Sequence, residues 1–327
     1  MDNATNESAA VSVLIPTYNR ADLLPATLNS ILSQRHPADE IIVVDDGSTD
    51  DTEAVCAAFL PRIQYHRIAN SGVCRARDVA ASFATSPYIA FSDSDDLWRE
   101  DKLEKQLALH LQHPEVEYSF TNFAIVTDSA WSEKTKFEDA PEGYFARCDT
   151  PSVGILLCEE PFYDRLLFFQ PIFPSTTMMT RDFYHRIGGY KDFLGRVQSE
   201  DLEFALRCAL NAPIGIVTEP VVGIRKHTSN FSGNEYAVTC GEIEILKYAL
   251  ANHPISESTR KLVLDQIALR SIDAAYGPFR GSDFATFKSL LSEVPGRFIT
   301  PKLRLKLLIA NSPAPIGRAL KNLLTRA

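Results

Sequence analysis

Apolar and polar positions in the first hundred residues fall into blocks that switch between two periods. VSVLIP (Val11–Pro16) and EIIVVDD (Glu40–Asp46) are short β-branched runs, the pattern of strands buried on both faces. Between them Leu24, Leu28, Ile31 and Leu32 recur at helical spacing, which predicts a helix with one buried face. Further helices are expected at Thr52–Phe59 and Val73–Phe83, with strands at Ile63–His66 and Tyr88–Ser92. This βαβαβαβ order predicts an α/β fold with a doubly wound, mostly parallel sheet flanked by helices, whose ligands bind beyond the carboxyl ends of the strands.

A helix at Arg99–Gln112 and a strand at Val116–Asn122 continue the alternation, and Ser129–Pro174 then reads as one long irregular segment. Order returns with a strand at Ser175–Thr180, a helix from Arg181 stopped by Gly188 and Gly189, a helix at Glu200–Leu210 and a strand at Ile214–Val217. From Tyr236 only helical periodicity remains, so a C-terminal helical extension is expected at 236–327. Residues 1–10 are expected to be a disordered tail, with one domain over 11–235 divided at 112/113.

The composition is that of an ordinary globular protein, 45% hydrophobic and 23% charged. A net charge of −9 argues against a nucleic-acid partner, because phosphate backbones are bound through many Lys and Arg contacts. The six cysteines show neither a CxxC pair nor zinc-finger spacing and read as reduced and structural. The polar start MDNATNESAA, together with the lack of any apolar stretch of about 18 residues, gives a cytoplasmic expectation, with attachment to the inner membrane face as a further option. That option comes from residues 296–327, which hold seven basic side chains and no acidic one. A helix packed on the protein with a solvated basic face is the alternative.

Candidate chemistry lies just after the strands. Ser92-Asp93-Ser94-Asp95-Asp96 packs three carboxylates into four residues, and their repulsion calls for a cation. Mg²⁺ and Mn²⁺ take carboxylate oxygens while substrate phosphates complete the shell. Asp45-Asp46-Gly47-Ser48-Thr49-Asp50 follows the second strand; Asp46 there could accept a nucleobase N–H, and Tyr18 could offer its ring to the same base. Ser199-Glu200-Asp201 opens a helix and supplies either a cap or a general base. Arg75 and Arg77 on one helix, and Arg225-Lys226-His227 after a strand, could meet phosphate.

Taken in order, Pro16-Thr17-Tyr18-Asn19, Val43-Val44-Asp45-Asp46-Gly47-Ser48-Thr49-Asp50, Asn70 with Gly72 and Ala76-Arg77, Ser92 to Asp96, Ile187-Gly188-Gly189-Tyr190, Glu200-Asp201 and Arg225 with His227 resemble glycosyltransferase family 2 over about residues 10–235. That resemblance implies a GT-A fold and an inverting, metal-dependent transfer of sugar from a nucleotide diphosphate donor, commonly a UDP-sugar. The acceptor it implies is a hydroxyl of a glycan or lipid-linked molecule, in cell-envelope polysaccharide or glycoconjugate synthesis. It implies a donor-nucleotide site of Pro16, Thr17, Tyr18, Asn19, Asp45, Asp46, Arg75, Arg77, Asp93, Ser94 and Arg225. Asp95, with Asp93 and His227, would hold the Mn²⁺ or Mg²⁺, and Asp201, with Glu200 beside it, would be the catalytic base. Asp78 departs from the Asn that many members carry after Ala-Arg, which weakens the donor-binding role of that helix. Two rivals are a sugar nucleotidyltransferase, which would open with a Gly-rich loop where Pro16–Arg20 stands, and a non-catalytic metal- or nucleotide-binding module. The oligomeric state has no signature in the sequence.

Overall fold

The computed structural model describes residues 9–194, 197–227 and 234–324. The chain divides into two compact units, residues 1–196 with 200–230, and residues 197–199 with 231–327. The tail expected at 1–10 lies outside the described residues except for its last two positions.

The first unit is built on one sheet of eleven strands. In chain order they are β1 (Val11–Thr17), β2 (Glu40–Asp45), β3 (Gln64–Arg67), β4 (Tyr88–Phe91), β5 (Leu97–Trp98), β6 (Tyr118–Thr127), β7 (Ala130–Thr135), β8 (Asp149–Ser152), β9 (Ile155–Cys158), β10 (Thr177–Thr180) and β11 (Ile214–Arg225). The helices are α1 (Leu24–Leu32), α2 (Thr52–Ala57), α3 (Val73–Phe83), α4 (Lys102–Gln112), α5 (Tyr163–Leu166), α6 (Arg181–Ile187) and α7 (Glu200–Cys208). The strand order is β3-β2-β1-β4-β10-β6-β11-β9-β8, with β5 on β11 and β7 on β6. β3, β2, β1 and β4 run parallel, as do β6 and β11; β10 joins the two sets antiparallel to both its neighbours.

All seven residues of β1 are buried, as its unbroken apolar run predicts. One face of the sheet packs Val13, Ile15, Val43, Ala90 and Met178 against Leu24, Leu28 and Ile31 of α1 and Leu103 and Leu107 of α4. Phe91 sits on the other face beneath an aromatic layer of Tyr184, Tyr190 and Phe204, with ring centroids 5.5–6.4 Å from its own. The carboxyl ends of β1, β2 and β4 therefore share one edge, and the loops that leave them are the polar clusters of the sequence.

Three expectations need correction. The segment 129–174 is not one irregular loop: it contains β7, the antiparallel pair β8–β9 and α5. Their side chains give no period to read, because every residue of β8 is exposed and pairing rests on the backbone. Cys148 and Cys158 are joined in a disulfide, their Cα atoms 4.3 Å apart, so the reading of all six cysteines as reduced fails at this pair. β11 also runs on to Arg225, past the expected end at Val217, because the ladder absorbs Pro220 by register shifts on either side of it.

The second unit contains α8 (Glu235–Asn252), α9 (Glu257–Gly281), α10 (Phe284–Leu291), α11 (Pro301–Asn311) and α12 (Ala314–Leu324). Its core gathers Phe279, Phe284, Phe287, Leu291, Leu303 and Ile309. Among the described residues no helix is long and apolar enough to cross a membrane.

Phe91 is fully buried, so Phe91→Ala should lower unfolding free energy by roughly 3–5 kcal/mol. Guanidinium denaturation reads the change, and a loss below about 1 kcal/mol would show that the aromatic layer does not rest on this ring.

Candidate active site

The loop after β1 and the loop after β2 are tied together by short polar bonds. The Asn19 amide donates to Ser48 Oγ at 2.9 Å, and Asn19 Oδ1 accepts the Thr49 N–H at 2.7 Å. Gly47 has φ of +79°, and a Cβ there would lie 3.0 Å from the Asn70 nitrogen, so both backbone and space demand glycine. Asp45 is fully buried and accepts the Ser48 N–H and the Tyr65 hydroxyl, each at 2.7 Å. Asp46 accepts the N–H groups of Ser71 and Gly72 at 2.7 and 2.9 Å, anchoring the start of α3. Both carboxylates thus shape the loops that follow β2 and β3. Pro16 and Thr17 are buried in β1 itself, while Tyr18 is 45% exposed, which leaves its ring open to a ligand.

The acidic turn after β4 is held from several elements. Thr27 Oγ1 donates to the Ser94 carbonyl at 3.0 Å, and the Asp93 amide donates to Ser175 Oγ at 2.9 Å. Ser175 Oγ also donates to Asp96, whose other oxygen accepts the Arg225 N–H at 3.2 Å. Burial, reinforced by Asp95 and Asp93, holds the Asp96 carboxyl well above the usual range. Asp96 therefore acts as the internal post of the turn rather than as a ligand.

Asp95 meets one imidazole and one guanidinium. Its Oδ2 lies 3.1 Å from His227 Nε2 and 3.3 Å from Arg20 Nε. Asp93 instead meets Arg77 at 2.9 Å, and burial raises its pKa although Arg77 opposes the shift. The three expected metal ligands are therefore not gathered together: Asp95 and His227 meet, Asp93 faces another way, and no group of three His, Cys, Asp or Glu side chains forms a metal cage among the described residues. A carboxylate with a neighbouring imidazole fits a hard divalent cation whose remaining ligands come from a substrate diphosphate.

Arg77 joins the two halves of the site. It is only 2% exposed. Its two terminal nitrogens reach Asp93 at 2.9 Å and Glu200 at 2.8 Å, and its guanidinium lies 4.8 Å from the centre of the Tyr190 ring. Tyr190 is delivered by the turn that closes α6, with Gly188 and Gly189 in the left-handed region. Asp78 pins that turn by accepting the Tyr190 N–H at 2.9 Å and the Tyr184 hydroxyl. The departure at Asp78 thus acquires a structural role. Glu200 is committed to Arg77, whereas Asp201 follows it at the start of α7, and burial together with the Glu200 charge pushes its carboxyl up to about 7.

Two expected phosphate ligands have partners of another kind. Arg75 is exposed and sits 3.7 Å from Asp192. Arg225 directs its guanidinium to the Asp95 carbonyl, and to the Leu23 carbonyl and Thr27 Oγ1 at 2.8 Å each, so in this structure it braces the acidic turn. Arg20, Thr27, Ser175 and Tyr190 carry contacts that the site expectations did not include. Arg20 alone had a visible signal, a cation at one strand end opposite an acidic cluster at another; Thr27 and Ser175 are single hydroxyls with no pattern around them.

Arg77→Met should cost roughly 3–5 kcal/mol, because the buried Glu200 and the partly exposed Asp93 would both lose their shared counter-charge. Urea denaturation reads the loss, and a change below about 1 kcal/mol would make the bridge no stronger than a surface pair.

Residues 12–168 match the family described as Glycosyl transferase family 2. The chain is 38% identical over 148 residues to the putative teichuronic acid biosynthesis glycosyltransferase TuaG of Bacillus subtilis (strain 168), covering 42% of this chain and 56% of that protein. It is 31% identical over 123 residues to the UDP-Glc:alpha-D-GlcNAc-diphosphoundecaprenol beta-1,3-glucosyltransferase WfgD of Escherichia coli, covering 37% and 48%. The alignments thus span about half the length of these relatives. The structure of S. aureus TarS 1-349 in complex with UDP-GlcNAc superposes with a TM-score of 0.65 at 18% identity, over 97% of this chain and 92% of that one, a likeness of fold. Residues 12–168 of this chain form a glycosyltransferase family 2 domain, carried on a GT-A fold.

Proposed function

We propose that the protein is an inverting glycosyltransferase that moves a sugar from a nucleotide diphosphate donor to a hydroxyl of a glycan or lipid-linked acceptor. The observation that carries this reading is the pairing of Asp93 and Glu200 through Arg77, which fixes Asp201 in relation to the acidic turn that ends in Asp95. A uridine diphosphate sugar is the proposed donor, since TarS was crystallised with UDP-GlcNAc and WfgD is named as a UDP-glucose enzyme with a diphosphoundecaprenol-linked acceptor. Residues 11–112 would supply the nucleotide half and 113–235 the acceptor half.

In the proposed reaction Asp201 accepts the proton of the acceptor hydroxyl as its oxygen attacks the anomeric carbon. The nucleoside diphosphate leaves from the opposite face, so the configuration inverts. The exposed Tyr18 ring offers a surface for the base, and Asp46 keeps the loop between β3 and α3 closed around the nucleoside region through Ser71 and Gly72. Asp95 and His227 would hold Mn²⁺ or Mg²⁺, which when bound would supply positive charge to the departing diphosphate. Arg20, whose Nε lies 3.3 Å from Asp95 Oδ2, adds to the field that favours developing negative charge.

Asp201→Asn should lower kcat by roughly 10²- to 10⁴-fold while donor affinity stays within a few-fold. A base with a pKa of about 7 works only when ionised, so kcat/KM of the wild type should rise with pH up to that value and level off above it. A flat profile across the same range, measured with saturating metal, would remove Asp201 as the base.

Metal binding separates from chemistry in a thermal-shift titration. Mn²⁺ should raise the Tm of the donor-bound protein, and Asp95→Asn or His227→Ala should raise the half-maximal Mn²⁺ concentration by roughly tenfold or more. Unchanged titrations in both variants would place the cation elsewhere.

A further inference from the structure

An exposed apolar stripe runs along α12. Ile316, Leu320 and Leu323 follow one another at i, i+4 and i+7, so they share a face, and they are 53%, 40% and 67% exposed. A neighbouring face of the same helix is the anchored one. Gly317 lies so close to the Ile309 carbonyl and Phe284 that a Cβ would meet them at 2.8 and 3.0 Å, and Lys321 Nζ donates to the Arg280 carbonyl and Ser282 Oγ at 2.9 Å each.

α11 divides its leucines in the same way. Leu303 and Ile309 enter the core of the second unit, whereas Leu305 and Leu308 are exposed. One set of side chains thus packs within the second unit and another is left exposed.

Charge decides what fits the outer set. Residues 296–327 hold seven basic side chains and no acidic one in a chain whose net charge is −9. Lys306 lies over the rings of Tyr276 and Phe279 and Arg297 pairs with Asp265, but Lys302, Arg304 and Arg318 stand exposed beside the leucines. A polyanion such as nucleic acid would use the cations and leave the aliphatic side chains in water. An anionic bilayer uses both, since aliphatic side chains enter the interface while Lys and Arg meet the headgroups.

We propose that the exposed aliphatic side chains of α11 and α12, with Lys302, Arg304 and Arg318, form a surface that docks on an anionic lipid bilayer. This rests on the lipid-linked acceptor reading for its purpose, yet lipid binding requires neither donor, metal nor turnover. The two can therefore fail separately.

The test is co-sedimentation of the full chain with vesicles of phosphatidylglycerol and phosphatidylcholine, against phosphatidylcholine alone. One variant carries Ile316→Ser, Leu320→Ser and Leu323→Ser, and another Lys302→Gln, Arg304→Gln and Arg318→Gln; circular dichroism and UDP-sugar binding report folding and the donor site. The wild type should pellet with the anionic vesicles at low salt and be released by high salt, and each variant should lose roughly tenfold in the bound fraction while keeping its helix content and donor affinity. Wild type remaining in the supernatant, or pelleting equally with the serine variant, would overturn the proposal. So would a wild-type dimer that the serine variant dissolves without any vesicle binding, since the stripe would then belong to a second copy.

Discussion

The whole site depends on a single buried cation. Arg77 lies between Asp93, at the end of β4, and Glu200, at the start of α7, and both ion pairs are shorter than 3 Å. Carboxylates this close to one another and withdrawn from water would otherwise repel or protonate. With the guanidinium in place the acidic turn and the acidic helix start can occupy one end of the same sheet. Tyr190 covers the guanidinium, and the aromatic layer over Phe91 supports Tyr190 in turn. The apolar core thus positions the cation, and the cation positions the acids.

Within that frame the carboxylates divide their work by surroundings rather than by residue type. Asp45 and Asp46 saturate backbone and hydroxyl donors and hold loops; Asp96 is an internal post; Asp93 and Glu200 are bound to Arg77. In the proposed reaction Asp95 and Asp201 are the two left for chemistry. Asp95 has Arg20 and His227 beside it, while Asp201 is raised toward neutrality by burial and by Glu200. One group suited to a metal and another suited to taking a proton is the division that a single-displacement transfer needs.

The alternation of the first hundred residues predicted the parallel strands and their helices closely, because buried strands and amphipathic helices write their period into the chain. The helix end at Gly188 and Gly189 was legible for a similar reason, since only glycine accepts that backbone easily. The hairpin of β8 and β9 was not, as the side chains of β8 are all exposed and carry no period. Site chemistry was legible by cluster and not by partner. The Asp93–Asp96 run announced itself, but that Asp93 would turn to Arg77 and Asp95 to His227 depends on contacts between residues 16 and 132 positions apart. Arg77 looked like any cation on a helix face; only the packing of α3 beside α6 and α7 buries it.

The account is tested most directly by a crystal structure of the protein with Mn²⁺ and a UDP-sugar, read for the position of the anomeric carbon. It predicts the diphosphate beside Asp95 and His227, with Asp201 on the opposite face of the sugar ring and the bridge from Asp93 through Arg77 to Glu200 intact. A donor bound with its sugar ring away from Asp201, or a bridge broken by donor binding, would contradict it.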